Sequence, residues 1–193
     1  MNKTPLKGLF AYVVQKHKAT SLHYDLRLEI GGKMPSWSVP RGPTLDSGAK
    51  RLAMPTSDHL LEYRHFEGVL AGEYGAGPVM IWDEGTYNVE VEVSRGVRKQ
   101  VVNKKEAGEV ARTSLREGNL KFFLFGKKLR GSFALVRTEG FGGLKNAWLM
   151  IKHRDEYSKP GYDANDYDSS AKSGRTLSQI AGQAELDVEV DSG

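Results

Sequence analysis

The stretch His23-Tyr24-Asp25-Leu26-Arg27-Leu28-Glu29 alternates polar and apolar residues with a period of two. On a β-strand this period places the histidine, the two acidic residues and the arginine on one face and the tyrosine and the leucines on the other. A half-buried strand ordinarily carries lysine, threonine or serine on its wet face. This face instead combines the groups that can hold a divalent metal beside a phosphate. His17 lies six residues upstream of His23, close enough to return to the same face.

Outward from this strand, short strand-like segments separated by glycine and proline cover most of the chain. They are residues 9–16, 23–30, 36–39, 66–70, 78–82, 86–93, 120–125, 129–137 and 147–152. Residues 104–117 have helical character, and residues 40–53 have the composition of a loop. This order predicts a mainly β protein, an antiparallel barrel or a sandwich with one short helix.

The composition changes after residue 156. From residue 157 to residue 193 the chain is polar and rich in glycine, serine and aspartate, with a short helix-capable piece at residues 177–181. We therefore expect a β domain over residues 1–156 and an extended or partly disordered tail over residues 157–193.

Composition also excludes several kinds of site. The 193 residues include no cysteine, which excludes disulfides, thiolate zinc sites, iron–sulfur clusters and cysteine nucleophiles. A metal must then be held by histidine, carboxylates and water, a ligand set that suits Mn²⁺, Mg²⁺, Zn²⁺ or Fe²⁺. The net charge of +4 is compatible with a nucleic-acid partner without establishing one. No stretch resembles a membrane span or a secretory signal, so we expect a cytoplasmic protein without a membrane partner.

The metal hypothesis competes with two others. His23 and Asp25 could be a hydrogen-bonded surface pair, with His17 merely exposed. They could instead belong to the iron site of a non-haem oxygenase, which would need His59 or His153 as its second histidine. Same-face neighbours on a strand lie about 6.6–6.8 Å apart, so their side chains can converge on one ion. The nearby third histidine and the arginine favour a metal site for a phosphoester.

Several cationic and polar residues can hold that phosphate. Arg27 would be repelled by a metal ion on the same face unless an anion lies between them, and a guanidinium matches phosphate oxygens in pairs. Arg41 and Arg51 lie in loop-like sequence and can add cationic contacts. His59, followed by Tyr63, is a candidate proton or hydrogen-bond donor. His65 and His153 are interpreted as structural residues.

The chain closely resembles the 3′-phosphoesterase domain of bacterial DNA ligase D and its free-standing relatives. An ordered set of short motifs spread over about residues 10–153 carries the resemblance. These motifs are Gln15-Lys16-His17, Leu22-His23-Tyr24-Asp25-Leu26-Arg27-Leu28-Glu29, Ser36-Trp37-Ser38-Val39-Pro40-Arg41-Gly42-Pro43, Lys50-Arg51-Leu52-Ala53, Asp58-His59, Phe66-Glu67-Gly68, Tyr74-Gly75-Ala76-Gly77 and Trp82-Asp83-Glu84-Gly85. The resemblance implies a compact β-barrel with its active site in a groove on one side.

The resemblance also implies an activity. It implies a Mn²⁺-dependent enzyme that removes a 3′-terminal ribonucleoside from DNA and then hydrolyses the resulting 3′-phosphate to a 3′-hydroxyl during break repair by end joining. Its partners would be DNA or RNA-tipped DNA 3′ ends and a separate DNA ligase or end-joining protein. Position by position, the metal ligands would be His17, His23 and Asp25. The phosphate would be held by Arg27, Arg51 and His59, assisted by Arg41 and Tyr63.

Four departures from the family pattern qualify these roles. Arg41 stands where the family often has lysine, and Ser57 and Leu60 replace a glutamate and a proline around His59. The residues before Phe10 are fewer than in many relatives, which favours the phosphatase activity over the ribonuclease activity. The alternative is a DNA-end-binding module that has lost catalysis.

Overall fold

The structure, a computed structural model, describes residues 7–191, with side chains to residue 184. Within the described residues the chain forms ten strands and two helices, with short 3-10 turns at Leu61–His65 and Ala164–Asp166. The strands are β1 (Phe10–Lys18), β2 (Leu22–Leu28), β3 (Met34–Val39), β4 (Lys50–His59), β5 (Gly68–Leu70), β6 (Gly77–Ser94), β7 (Val97–Gln100), β8 (Asn119–Gly126), β9 (Arg130–Arg137) and β10 (Trp148–Lys152). The helices are α1 (Lys104–Glu117) and α2 (Leu177–Asp191).

Eight of the strands close into an antiparallel barrel. Their order is β1-β2-β3-β4-β10-β9-β8-β6, and β6 pairs again with β1, which closes the ring. Strands β5 and β7 each pair with β6 outside the ring. The prediction of a mainly β antiparallel barrel is confirmed, and closure leaves the ring strands paired on both sides. Neither helix within residues 7–191 combines the length and apolarity needed to cross a membrane.

The alternation in β2 fills the barrel interior as the sequence predicts. Tyr24, Leu26 and Leu28 are buried among the aromatic residues of the core, and the ring of Tyr24 packs edge-on against Trp82 with centroids 5.5 Å apart. Removing each such side chain from water contributes roughly 1.5–3 kcal/mol to folding. The other face of β1 and β2 is therefore free to carry polar residues.

Strands β4, β6 and β7 differ from the sequence-based expectation, which has no strand at residues 97–100. Residues 50–53 form the start of β4 rather than a loop, because each of them pairs with a residue of β10. Strand β3 pairs with the second half of β4, from Met54 to His59, which is largely exposed and polar. The two predicted strands at residues 78–82 and 86–93 are one strand, β6. It continues through Asp83 because the buried carboxylate accepts hydrogen bonds from the Tyr12 hydroxyl at 2.6 Å and from three backbone N–H groups of the β8–β9 turn.

Residues 157–176 have little regular structure but pack against the barrel. Tyr162, Ala164 and Ser170 are buried, and the backbone carbonyl of Tyr167 accepts a hydrogen bond from the Trp82 indole at 2.7 Å. Helix α2 begins at Leu177, where the sequence predicts a helix-capable piece. Barrel side chains thus satisfy polar groups of this segment. The boundary at residue 157 and the disorder expected beyond it stay predictions.

His153 belongs to a polar cluster on the barrel wall, as a structural residue does. Its Nδ1 lies 2.8 Å from the Ser132 hydroxyl, which also donates to Glu90. Burial, reinforced by the charge of Arg98, lowers the pKa of His153 to about 4. The pKa of Glu90 is shifted upward by burial, so the two groups affect the pH dependence of stability in opposite directions.

We expect the wild-type protein to lose more stability on acidification than the variant His153→Gln. The unfolded histidine takes up a proton below a pH of about 6.5 but the folded one does so only near 4, so this contribution is complete above 6.5 and is lost as the pH falls. With allowance for solvent screening, the difference should reach about 1–2 kcal/mol between pH 7 and pH 4.5. Urea unfolding at several pH values measures it. If the free energy of unfolding had the same pH dependence in both proteins, the low pKa assigned to His153 would be contradicted. Glu90 is present in both proteins, so its own titration does not account for a difference between them.

Candidate metal and phosphate site

The β1–β2 hairpin places the predicted metal ligands side by side. In its register His17 lies directly opposite His23, and Gln15 lies opposite Asp25. Because side chains alternate across a strand, these four residues share the outer face, while the residues between them line the barrel. The alternation that builds the core therefore also builds the site.

The ligand atoms of His17, His23 and Asp25 all lie within 4.8 Å of one another. The imidazole rings of the two histidines are 4.9 Å apart, and His23 Nε2 lies 3.5 Å from Asp25 Oδ1. His23 Nδ1 lies 3.1 Å from the Ser21 carbonyl, an acceptor, which assigns a proton to Nδ1. Nε2, which faces Asp25, is the nitrogen that can act as a ligand once any proton it carries is displaced.

His17 Nε2 is buried and has no hydrogen-bond partner in the structure. A buried polar atom without a partner is costly, and a metal ion is a partner that would satisfy it. Two imidazole nitrogens and one carboxylate in contact range form a donor set that divalent transition metals accept. The residues present therefore fit a divalent cation.

The protonation states suit the same role. Burial lowers the pKa of His17, and the neighbouring His23 lowers it further, so the ring is neutral near pH 7. Burial opposes ionisation of Asp25, but the hydrogen bond from His23 and the charge of Arg27 together lower its pKa below the usual range. The hydrogen bond with Asp25 raises the pKa of His23. A cation would meet an ionised carboxylate and would displace at most the proton on His23.

Arg27 is the best-anchored cation of the site. It is 4 % exposed, and its guanidinium donates from Nε to Gln15 Oε1 at 2.7 Å and from Nη2 to Asp25 Oδ2 at 3.1 Å. Its Nη1 lies 3.1 Å from His59 Nδ1, and the group packs over the Tyr63 ring at 5.1 Å. These contacts fix the plane of the guanidinium beside the metal ligands.

A cavity of about 450 Å³ opens beside these side chains. Its lining includes six of the residues that the sequence proposes: His17, His23, Asp25, Arg27, His59 and Tyr63. Burial lowers the pKa of His59, and the charge of Arg27 adds to the effect. The cavity therefore combines three side chains that fit a divalent cation, a fixed guanidinium and a neutral imidazole.

Arg41 and Arg51 do not line this cavity. Arg51 lies on β4 five residues before the lining residue Thr56, roughly 16 Å along the strand, and its Nε donates to the Gly42 carbonyl at 3.1 Å. Arg41 is exposed in the turn after β3. The structure does not bring these two arginines to the other site residues, and their phosphate-binding roles stay predictions.

Gln15 is a site residue to which the sequence analysis gives no role. Its side chain is fully buried, accepts from Arg27, and donates from Nε2 to the carbonyls of Tyr63 and Phe66 at 3.0 Å each. It thereby joins β1 to the Leu61–His65 turn. Its position two residues before His17 on the same strand face was the available signal.

The loop between β5 and β6 forms another wall that the sequence did not reveal. Glu73, Tyr74 and Gly75 line the cavity beside His17. Gly77 has a φ of +135°, and a Cβ there would lie 2.0 Å from the Lys18 carbonyl oxygen. Glycine is required where the loop returns past the end of β1, which explains this part of the glycine-rich stretch.

The two family departures beside His59 have a structural context. The backbone carbonyl of Ser57 lies 2.9 Å from His59 Nδ1, so the ring has a backbone acceptor where the family pattern has a carboxylate side chain nearby. Leu60 begins the turn and is 73 % exposed. His59 thus keeps an orienting contact without the glutamate.

Comparison with known proteins identifies relatives of this chain. The family model described as the DNA Ligase D 3′-phosphoesterase domain matches residues 15–137. The multifunctional non-homologous end joining protein LigD of Pseudomonas aeruginosa is 41 % identical over 149 residues, which are 77 % of this chain and 16 % of that protein. The corresponding DNA repair protein of Mycobacterium tuberculosis is 34 % identical over 172 residues, which are 89 % of this chain and 19 % of that protein.

A third relative, LigD of Mycolicibacterium smegmatis, is 40 % identical over 146 residues, which are 75 % of this chain and 17 % of that protein. The chain spans less than a fifth of the length of these relatives. The matching region includes His17, His23 and Asp25 together with Arg27, His59 and Tyr63. On this match the chain belongs to the DNA ligase D 3′-phosphoesterase domain family.

Proposed function

We propose that the protein is a Mn²⁺-dependent phosphoesterase that heals 3′ ends of DNA or RNA-tipped DNA in non-homologous end joining. It would remove a 3′-terminal ribonucleoside and then hydrolyse the 3′-phosphate. The observation that carries the proposal is the convergence of His17, His23 and Asp25 within 4.8 Å beside the anchored Arg27. Family membership supports the same reaction class.

His17, His23 and Asp25 would hold the metal. Bound there, the ion would supply Lewis-acid polarisation of the phosphate and activation of water. The ligand set also accepts other divalent metals, and Mn²⁺ is proposed from the family resemblance.

Arg27 has free donors for the phosphate. A guanidinium carries five N–H groups, and the three contacts to Gln15, Asp25 and His59 use one each. One N–H on Nη1 and one on Nη2 therefore remain for phosphoryl oxygens. Because the other contacts hold the group in place, it can stabilise developing negative charge without reorganising.

His59 can supply a proton to the leaving oxygen. Its Nδ1 lies between a donor, Arg27 Nη1, and an acceptor, the Ser57 carbonyl. When Nδ1 accepts from Arg27, Nε2 carries the proton and can donate it. Tyr63 packs against both members of this pair, with its ring centroid 4.7 Å from that of His59 and 5.1 Å from the Arg27 guanidinium.

Chelation of metal is expected to stop turnover. A primer–template with a 3′-phosphate should release inorganic phosphate with Mn²⁺ and lose at least about a hundredfold in rate with EDTA, because the proposed reaction depends on the ion. The same duplex with a 5′-phosphate alone is the control and should release none. Failure to release phosphate with metal, or release indifferent to EDTA, would overturn the proposal. Salt-sensitive binding without turnover would instead favour the DNA-end-binding module.

The product of this reaction is a 3′-hydroxyl end. DNA ligation consumes such an end, so we propose a separate DNA ligase or end-joining protein as the functional partner.

A further inference from the structure

An apolar groove of about 710 Å³ adjoins the metal and phosphate cavity. His59 and Tyr63 line both spaces and form the wall between them. The groove continues over Leu60 and Phe66 along the Leu61–His65 turn. Leu60, a large aliphatic side chain left 73 % exposed at this place, has no function in the reaction described above.

The aromatic side chains that line the groove form a contiguous series, in which His59 is tilted by 38° against Tyr63 and Tyr63 is stacked on Phe66. The ring centroids of His59 and Tyr63 are 4.7 Å apart, and those of Tyr63 and Phe66 are 5.4 Å apart with an interplanar angle of 13°. The buried Gln15 holds the backbone carbonyls of Tyr63 and Phe66. An aromatic surface held in this way favours an apolar, planar ligand, because few side chains remain to be ordered on binding.

The charges around the groove indicate a neutral ligand. Asp58 and Glu62 line it, and neither lysine nor arginine does so within the described part of the chain. Carboxylates repel phosphate but accept hydrogen bonds from amino and hydroxyl groups. The phosphate is therefore expected in the cavity with Arg27, and a planar group with N–H donors in the groove.

We propose that this groove binds the nucleobase of the 3′-terminal nucleotide whose 3′-phosphate occupies the cavity. The inference rests on the proposed function and adds a specificity site to it. The shared wall of His59 and Tyr63 lets one nucleotide span both spaces, with its sugar at the wall. Stacking of this kind tolerates any base, so the site selects a nucleotide terminus rather than a sequence.

The test compares two strands, one ending in an ordinary nucleotide 3′-phosphate and one ending in an abasic 3′-phosphate. In the wild type, loss of the base should raise KM about tenfold and leave kcat within about twofold, as expected for one stacked base. Leu60→Asp should raise KM for the ordinary strand to nearly the abasic value and leave the abasic strand unchanged. The matched control is Val102→Asp, at a residue 68 % exposed that lines neither space, which should leave both KM values unchanged.

Two results would overturn the subsite while leaving the proposed function intact. They are equal KM values for both strands in the wild type, and an equal rise for both strands in Leu60→Asp, as general charge repulsion would produce. If neither strand is turned over with Mn²⁺, the proposed function fails instead. In that case fluorescence anisotropy measures the dissociation constants of the two strands for the wild type and for Leu60→Asp. Equal dissociation constants for the two strands in the wild type would overturn the subsite.

Discussion

Replacement of His17 with alanine is expected to lower Mn²⁺-dependent phosphate release by about a thousandfold or more. The variant removes the imidazole whose buried Nε2 has no hydrogen-bond partner among residues 7–191, and with it one of three donors to the proposed ion. The folded apoprotein should persist, because the ring lies at the wall of the cavity and this nitrogen makes no hydrogen bond there. Phosphate release from a 3′-phosphate primer–template measures the effect, and Asp25→Asn should act in the same direction.

A second readout separates metal loss from misfolding. Added Mn²⁺ should raise the melting temperature of the wild type through preferential binding to the folded state, and this shift should vanish in His17→Ala. The matched control is His153→Gln, which removes an imidazole outside the cavity and should retain both the shift and the activity. Retention of activity and of the metal-induced shift in His17→Ala would refute the assignment of this ligand.

Arg27→Lys is expected to reduce kcat/KM by about a hundredfold or more although it keeps the positive charge. The guanidinium contacts Gln15, Asp25 and His59 and still has two N–H groups for phosphate, whereas one ammonium with three donors cannot reproduce that planar arrangement. The variant also leaves the buried Gln15 oxygen without its donor, at a cost of roughly 1–3 kcal/mol in unfolding free energy. Steady-state kinetics and urea unfolding measure the two effects.

The metal-induced rise in melting temperature should survive in Arg27→Lys, because the proposed ligands remain. Arg64→Lys provides the matched control, since Arg64 lies in the turn beside Tyr63 but does not line the cavity. Unchanged kinetics in Arg27→Lys would show that charge alone is needed at this position, contrary to the contacts described.

The parts of this site that depend on one strand were predictable from the sequence. The alternation of residues 23–29 places His23, Asp25 and Arg27 on one face in the structure, and the antiparallel pairing of β1 with β2 brings His17 opposite His23. Helix α1 was also predictable, because the signals that define it are local in sequence. Asn103 accepts a hydrogen bond from the Glu106 N–H at its start, and Gly118 adopts the left-handed conformation at its end.

Features decided by distant partners were not predictable in the same way. Strand β4 is polar and exposed along much of its length, so its pairing comes from β3 and β10 and its own pattern says little. The face of the sheet on which the Arg51 side chain lies is set by the pairing of β4 with β10. The role of Gln15 depends on two carbonyls 48 and 51 residues away.

The packing of residues 157–176 against the barrel sets the limits for a minimal fragment. A protein that ends at residue 156 would lack the Tyr167 carbonyl, which accepts a hydrogen bond from the Trp82 indole. It would also lack Ser170, which donates a hydrogen bond to Glu67, and the buried Ile180. A shortened version for crystallisation or for fusion to a ligase should therefore extend into α2. The family match ends at residue 137, well before residues 157–176. A fragment that ends where the match ends would therefore expose barrel side chains to solvent.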